Sequence, residues 1–138
     1  MAGYWVRRLD AIPTIAPEEP HDPDWHPLTY HFGVEAFGAN VYTAPRPDMQ
    51  LVGEHDESAS GQEELYVVLA GAARFHLAGE AFDAPAISVV AVTDPAVRRG
   101  ALATEAGTRL LAVGGRPTGA FGSSWDARHF AGVPRVDG

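Results

Sequence analysis

From residue 34 to residue 114 the chain is a succession of short stretches in which apolar and polar positions alternate, separated by glycine and proline. The clearest runs from Glu64 to Leu69. Successive strand side chains point to opposite faces, so Glu64, Tyr66 and Val68 share one face and Leu65, Val67 and Leu69 the other. The second set is uniformly apolar and is expected to pack between two sheets. The first opens with a carboxylate and a phenol before turning apolar, as the wall of a small pocket would. In the next stretch Ala73, Phe75 and Leu77 alternate with Arg74 and His76, which predicts one buried and one wet face and turns His76 outward.

The same pattern predicts strands over residues 30–35, 36–44, 49–55, 80–83, 87–92, 97–104 and 108–113. Ala44-Pro-Arg-Pro-Asp48, Ala84-Pro-Ala86 and Thr93-Asp-Pro-Ala96 punctuate them as turns. Many short strands at regular spacing indicate an all-β sandwich or barrel. Leu65, Val67, Leu69, Phe75, Leu77, Val90, Leu111 and Val113 are the expected core.

The flanks differ. Residues 4–9, Tyr-Trp-Val-Arg-Arg-Leu, have strand propensity and suit a sheet edge, of this chain or of a partner. Prolines at 13, 17, 20, 23 and 27 forbid a regular helix or central strand, so residues 13–27 are expected to lie as an extended arm on the surface. His21, His26 and His31 are spaced unlike metal ligands on a rigid element. In the tail, Ser123-Ser-Trp-Asp126 has the form of a capping box before a short helix at 127–131, expected to pack Trp125 or Phe130 onto the barrel. The expected organisation is one domain: an N-terminal strand and arm (1–33), a barrel core (34–114) and a tail (115–138).

Composition narrows the function classes. The 138 residues suffice for one core, and the absence of cysteine removes disulfides and thiolate chemistry. Ten basic and eighteen acidic residues give a net charge of −8, which repels phosphate backbones, so no nucleic-acid partner is expected. No run of about 20 apolar residues marks a membrane span, and the amino terminus does not read as a secretory signal, so a cytoplasmic protein is expected. Glycines at 114, 115, 119 and 122 follow no strand–loop–helix pattern of a phosphate loop. Ser58 and Ser60 lack the setting of a nucleophile elbow. Glu63 and Glu64 point to opposite faces and cannot flank one glycosidic bond.

The candidate chemistry lies between Gly53 and Gly79. His55 and Glu57 form a His-x-Glu pair, a small polar loop follows at 58–62, and then come Glu64, six residues and Gly71. This stretch resembles the first motif of the cupin superfamily, in which a His-x-His pair precedes a spacer, a glutamate and a glycine. Glu57 stands where that motif has its second histidine, and the spacer before Glu64 is longer than the family's. Asp94-Pro-Ala-Val-Arg-Arg99 resembles the family's second motif, with Ala96 in place of its glycine and its histidine position on Arg99, or on Arg98 if the turn is one residue tighter.

The resemblance implies a jelly-roll β-barrel of two antiparallel sheets, a small homodimer to which residues 4–9 contribute, and a pocket for small-molecule chemistry. The family's three histidines and glutamate reduce here to His55, Glu57, Glu64 and an arginine. Two site readings stay open. In one, His55, Glu57 and Glu64 hold a divalent metal; such nitrogen and oxygen donors suit Fe, Mn, Ni or Zn. In the other, an arginine takes the metal's place, pairing with a glutamate or receiving an anionic ligand group, because a guanidinium has no lone pair to give a metal. The expected function is metal-free binding of a small polar or anionic organic molecule by His55, Glu57, Gln62, Glu64, Tyr66, Arg98 and Arg99. The alternatives are a metal-dependent oxygenase or isomerase and an interaction module without a working pocket.

Overall fold

A computed structural model describes residues 3–122 and 126–136. Among these residues nine strands dominate: β1 Asp24–His26, β2 Gly38–Ala44, β3 Gln50–His55, β4 Glu63–Ala70, β5 Ala72–Leu77, β6 Glu80–Pro85, β7 Val89–Val92, β8 Arg99–Ala103 and β9 Thr108–Gly115. They form two antiparallel sheets, ordered β1-β2-β9-β4-β7 and β3-β8-β5-β6, which face each other as a jelly roll. Between them Val68, Phe75, Leu110, Ala44 and Ala103 fill one end with apolar side chains. The other end, where strands carry Asn40, His55, Glu64 and Gly114, is open.

Alternation sorts β4 as expected, but the inner face is the one that begins with the carboxylate. Tyr66 and Val68 are buried, with the Tyr66 ring 5.5 Å from that of Phe75. Leu65 and Leu69 lie on the outer face and are exposed, contrary to the expected core, and Leu111 and Val113 are only half-buried beside them. Periodicity determines which residues share a face; the opposite sheet determines which face is inside. Phe75 is fully buried as expected, and Leu77 and Val90 pack against the core from partly buried positions.

Four local expectations are corrected. Residues 30–35 do not make a strand: Leu28–Phe32 form a short helix, α1, closed by Gly33 in the left-handed conformation. Residues 4–9 join no strand of this chain; Trp5 instead sets its ring 6.2 Å from that of Phe32. The proline-rich arm is not idle on the surface. Its Asp24–His26 pairs with β2 as the edge strand β1, a place that proline tolerates, and Ile15 bridges back to Trp25. His26 is buried with Nδ1 at 3.2 Å from the Ile12 carbonyl. Among its described residues the tail makes a 3₁₀ turn at Ala127–Phe130 and no α-helix; the Asp126 carboxylate accepts from the Arg128 amide, and Phe130 stays exposed. Trp125 lies outside the described residues.

Candidate functional site

The open end of the barrel holds a cavity of about 520 Å³. Its inner wall comes from β3 and β4, through His55, Glu64 and Tyr66, and from β2, through Asn40 and Tyr42. Its mouth is closed on one side by the arm, through Ile15, Glu18, Asp22 and Trp25. Gly114 on β9 keeps this end open: a Cβ there would meet Gln62 Oε1 at 2.8 Å and crowd Glu64.

Two register shifts in the pairing of β3 with β8 bring His55 opposite Arg99. Such bulges re-aim side chains beside binding sites. The long spacer at 58–62 coils into a turn in which the Gly61 amide donates to the Glu57 carbonyl at 2.7 Å. That coiling absorbs the extra residues and leaves His55, Glu57 and Glu64 converging despite the length of the loop. Ser60 donates its hydroxyl to the Glu57 carboxylate, and the Glu57 amide donates to the Pro95 carbonyl at 2.8 Å, tying this loop to the turn before β8.

Arg99 fills the space behind Glu64. Its side chain is 0% exposed, and its Nη1 donates to Glu64 Oε1 at 2.6 Å. Nε and Nη2 donate to the Val97 carbonyl at 3.0 and 2.8 Å, and Nη2 also approaches the carbonyls of Pro95 and Asp94 at 3.3 and 3.4 Å. A buried charge needs a counter-charge and filled hydrogen bonds. Arg99 has both, from Glu64 and from the turn it organises. Arg98, the residue before it, points the other way. It is 60% exposed and lies 3.9 Å from Glu54, outside the cavity.

The same Glu64 oxygen accepts the Tyr66 hydroxyl at 2.8 Å. Burial, with Glu64 beside it, pushes the Tyr66 phenol far above its ordinary range, so Tyr66 is a fixed proton donor. Tyr42 is also raised, first by burial and then by the charge of Glu64.

His55 is oriented from both sides. Its Nδ1 lies 2.6 Å from the Gly53 carbonyl, which can only accept, so Nδ1 carries a hydrogen. Nε2 then faces Glu57 Oε1 at 3.0 Å and Glu64 Oε1 at 3.9 Å. A ring lone pair against a carboxylate needs a shared proton or a cation between them. The donor atoms of His55, Glu57 and Glu64 lie within 4.8 Å of one another, and a backbone carbonyl on Nδ1 is the usual support of a metal-binding imidazole. The fit to a metal is nevertheless partial. The Glu64 oxygen turned toward His55 already accepts from Tyr66 and from Arg99, and the guanidinium would repel a second cation there.

The structure thus brings His55, Glu57, Gln62, Glu64 and Tyr66 to one cavity, sets Arg99 directly behind it and leaves Arg98 outside. Trp25, Asn40, Tyr42, Gln50, Glu18 and Asp22 also line the cavity and were not among the expected site residues. Asn40 and Tyr42 had a signal, since they alternate with Ala39 and Val41 along β2. Trp25 had none, because it faces the cavity only through the pairing of β1 with β2, which sets it opposite Tyr42.

No protein-family model matches this sequence. No curated protein matches it either. Among solved structures, a cupin protein from Bacteroides fragilis superposes with a TM-score of 0.69 at 14% identity, covering 99% of this chain and all of that one (100%). This chain has the cupin fold. A sugar phosphate isomerase of the cupin superfamily from Silicibacter pomeroyi matches over 80% of this chain and 74% of its own, with a TM-score of 0.64 and 18% identity. Pac13 of Streptomyces, a nucleoside dehydratase, matches over 80% of this chain and 81% of its own, with a TM-score of 0.56 and 17% identity. The cavity described above opens at the mouth of this cupin barrel.

Proposed function

We propose that this cupin barrel binds a small polar organic molecule without a metal, with Arg99 standing in the metal's place. The observation that carries the reading is the buried Arg99–Glu64 contact at 2.6 Å, in which a permanent cation already neutralises the one glutamate that keeps its motif position. His55, Glu57, Gln62 and Tyr66 then face the ligand as hydrogen-bonding groups, with His55 and Glu57 placed to exchange a proton with it. Arg99 itself is enclosed and spends its donors on protein oxygens. It supports the site through Glu64 rather than receiving the ligand. Cytoplasmic placement belongs to the same reading.

The test is restoration of the family's ligand. Arg99→His, alone and with Glu57→His, should give zinc or nickel binding by isothermal titration where the parent shows none above background. A parent that binds either metal as tightly as the variants contradicts the proposal.

A second reading rests on a specific observation, the convergence of His55, Glu57 and Glu64 within 4.8 Å. In it these residues hold a divalent ion (Fe, Mn, Ni or Zn), which would supply Lewis-acid or redox chemistry of the oxygenase or isomerase kind. His55 Nε2 and Glu57 would be its firm ligands. Glu64 would have to present its second oxygen while Tyr66 and Arg99 hold the first.

We propose in addition that the protein is a homodimer. Tyr4 and Val6 are 74% and 85% exposed, and the outer face of β4 and β7 presents Leu65, Leu69 and Val89 to solvent. Apolar surface of this kind suits burial against a second copy.

A further inference from the structure

We infer that the cavity takes an organic cation, an amine or quaternary ammonium group, in preference to an anion. This rests on the reading of the cavity as a small-molecule site and names the class of molecule. Three observations lead to it.

The first is the inventory of charge. Glu18, Asp22, Glu57 and Glu64 line the cavity, and no arginine is among the described residues that do. All ten basic residues of the chain are arginine, so no lysine can serve instead. Glu64 is answered by Arg99 from behind and Glu57 faces His55. Glu18 and Asp22 at the mouth remain. The basic group beside Asp22 is His21, 3.7 Å away and itself largely exposed. A concave site lined by one sign of charge focuses its field on the ligand. A phosphate or carboxylate entering here would meet that field without the forked or ammonium donors that normally receive it.

The second observation is the aromatic wall. Trp25 and Tyr42 are paired across β1 and β2, with ring centroids 6.3 Å apart and planes inclined by 34°. The Trp25 indole is fixed by donation from Nε1 to Asn40 Oδ1 at 2.8 Å. Two inclined rings in one cavity with carboxylates are the chemistry that binds an ammonium group, through the negative face of each ring and the charge nearby. The third is size. A cavity of about 520 Å³ admits a small molecule with room for a polar body reaching His55 and Gln62.

The test uses three probes of one shape: choline, its uncharged carbon isostere neohexyl alcohol, and the anion of tert-butylacetic acid. Binding is followed by two-dimensional NMR at the Trp25 indole N–H, assigned by its disappearance in Trp25→Leu. Choline is expected to move this signal, with a dissociation constant at least about ten-fold below those of the other two probes. Raising the salt from about 20 to about 200 mM should weaken it, because Glu18 is exposed and Asp22 only half-buried. The Glu18→Gln, Asp22→Asn double variant should lose about five-fold in choline affinity with its melting temperature unchanged. Equal or tighter binding of the alcohol or the anion at the Trp25 signal overturns the inference and leaves the cavity as a small-molecule site. If none of the three probes moves any cavity resonance, both readings fall.

Discussion

At the scale of single residues the site turns on a substitution of chemistry. In the proposed reading Arg99 stands where a metal ligand would, and it brings a charge that no physiological pH removes. Glu64, mostly enclosed, thereby has a counter-charge, and it accepts the Tyr66 hydroxyl. Removing one partner of a buried ion pair strands the other, whereas replacing both with apolar groups is far cheaper. Arg99→Leu should therefore cost about 3–5 kcal/mol in urea unfolding, and the double change Arg99→Leu, Glu64→Leu much less than the sum of the two single changes. Additive losses would show that the pair is not coupled. Tyr66 gives a pH signature. Its folded value is raised, so the phenol stabilises the fold fully below the unfolded value of about 10 and that contribution is lost as pH rises beyond it. Stability should fall above about pH 10, and Tyr66→Phe should flatten that fall; an unchanged slope would contradict the assignment.

At the scale of elements, the strands of the barrel core from β2 onward and most of the turns between them were legible, because alternation and glycine–proline punctuation are local signals. Gly71 shows how far such a signal reaches. It stands at φ +75° between β4 and β5, and a Cβ there would collide with buried Thr108, whose hydroxyl bonds Ala72 and Glu105. Gly71→Ala should cost about 2–4 kcal/mol in thermal or urea unfolding, combining strain at positive φ with displacement of Thr108. A loss below about 1 kcal/mol would mean that the turn relaxes freely. What the sequence could not convey is long-range. Leu65 and Leu69 look like core until the position of the second sheet decides which face of β4 is inside. Residues 28–32 become a helix where strand formers are not locally distinguishable from a short capped turn. The arm's prolines correctly exclude a central strand, but they say nothing of an edge strand that carries Trp25 into the cavity. Spacing points to Arg99, with Arg98 the alternative if the turn is one residue tighter, and the register of β8 with β3 decides between them.

At the scale of the whole molecule, the barrel divides its labour: one end is packed with apolar side chains and the other is left open and charged. The exposed apolar residues outside the barrel lead to a mass prediction. Light scattering at tens of micromolar should give twice the chain mass of 14.7 kDa, and a single-chain mass would remove the dimer. Whether a guanidinium occupies the place of a metal, as proposed, is decided by elemental analysis of the untreated, untagged protein purified without chelators. Fe, Mn, Ni and Zn are each expected far below one equivalent per chain. A stoichiometric amount of any of them, lost when His55 and Glu57 are replaced by alanine, would contradict it.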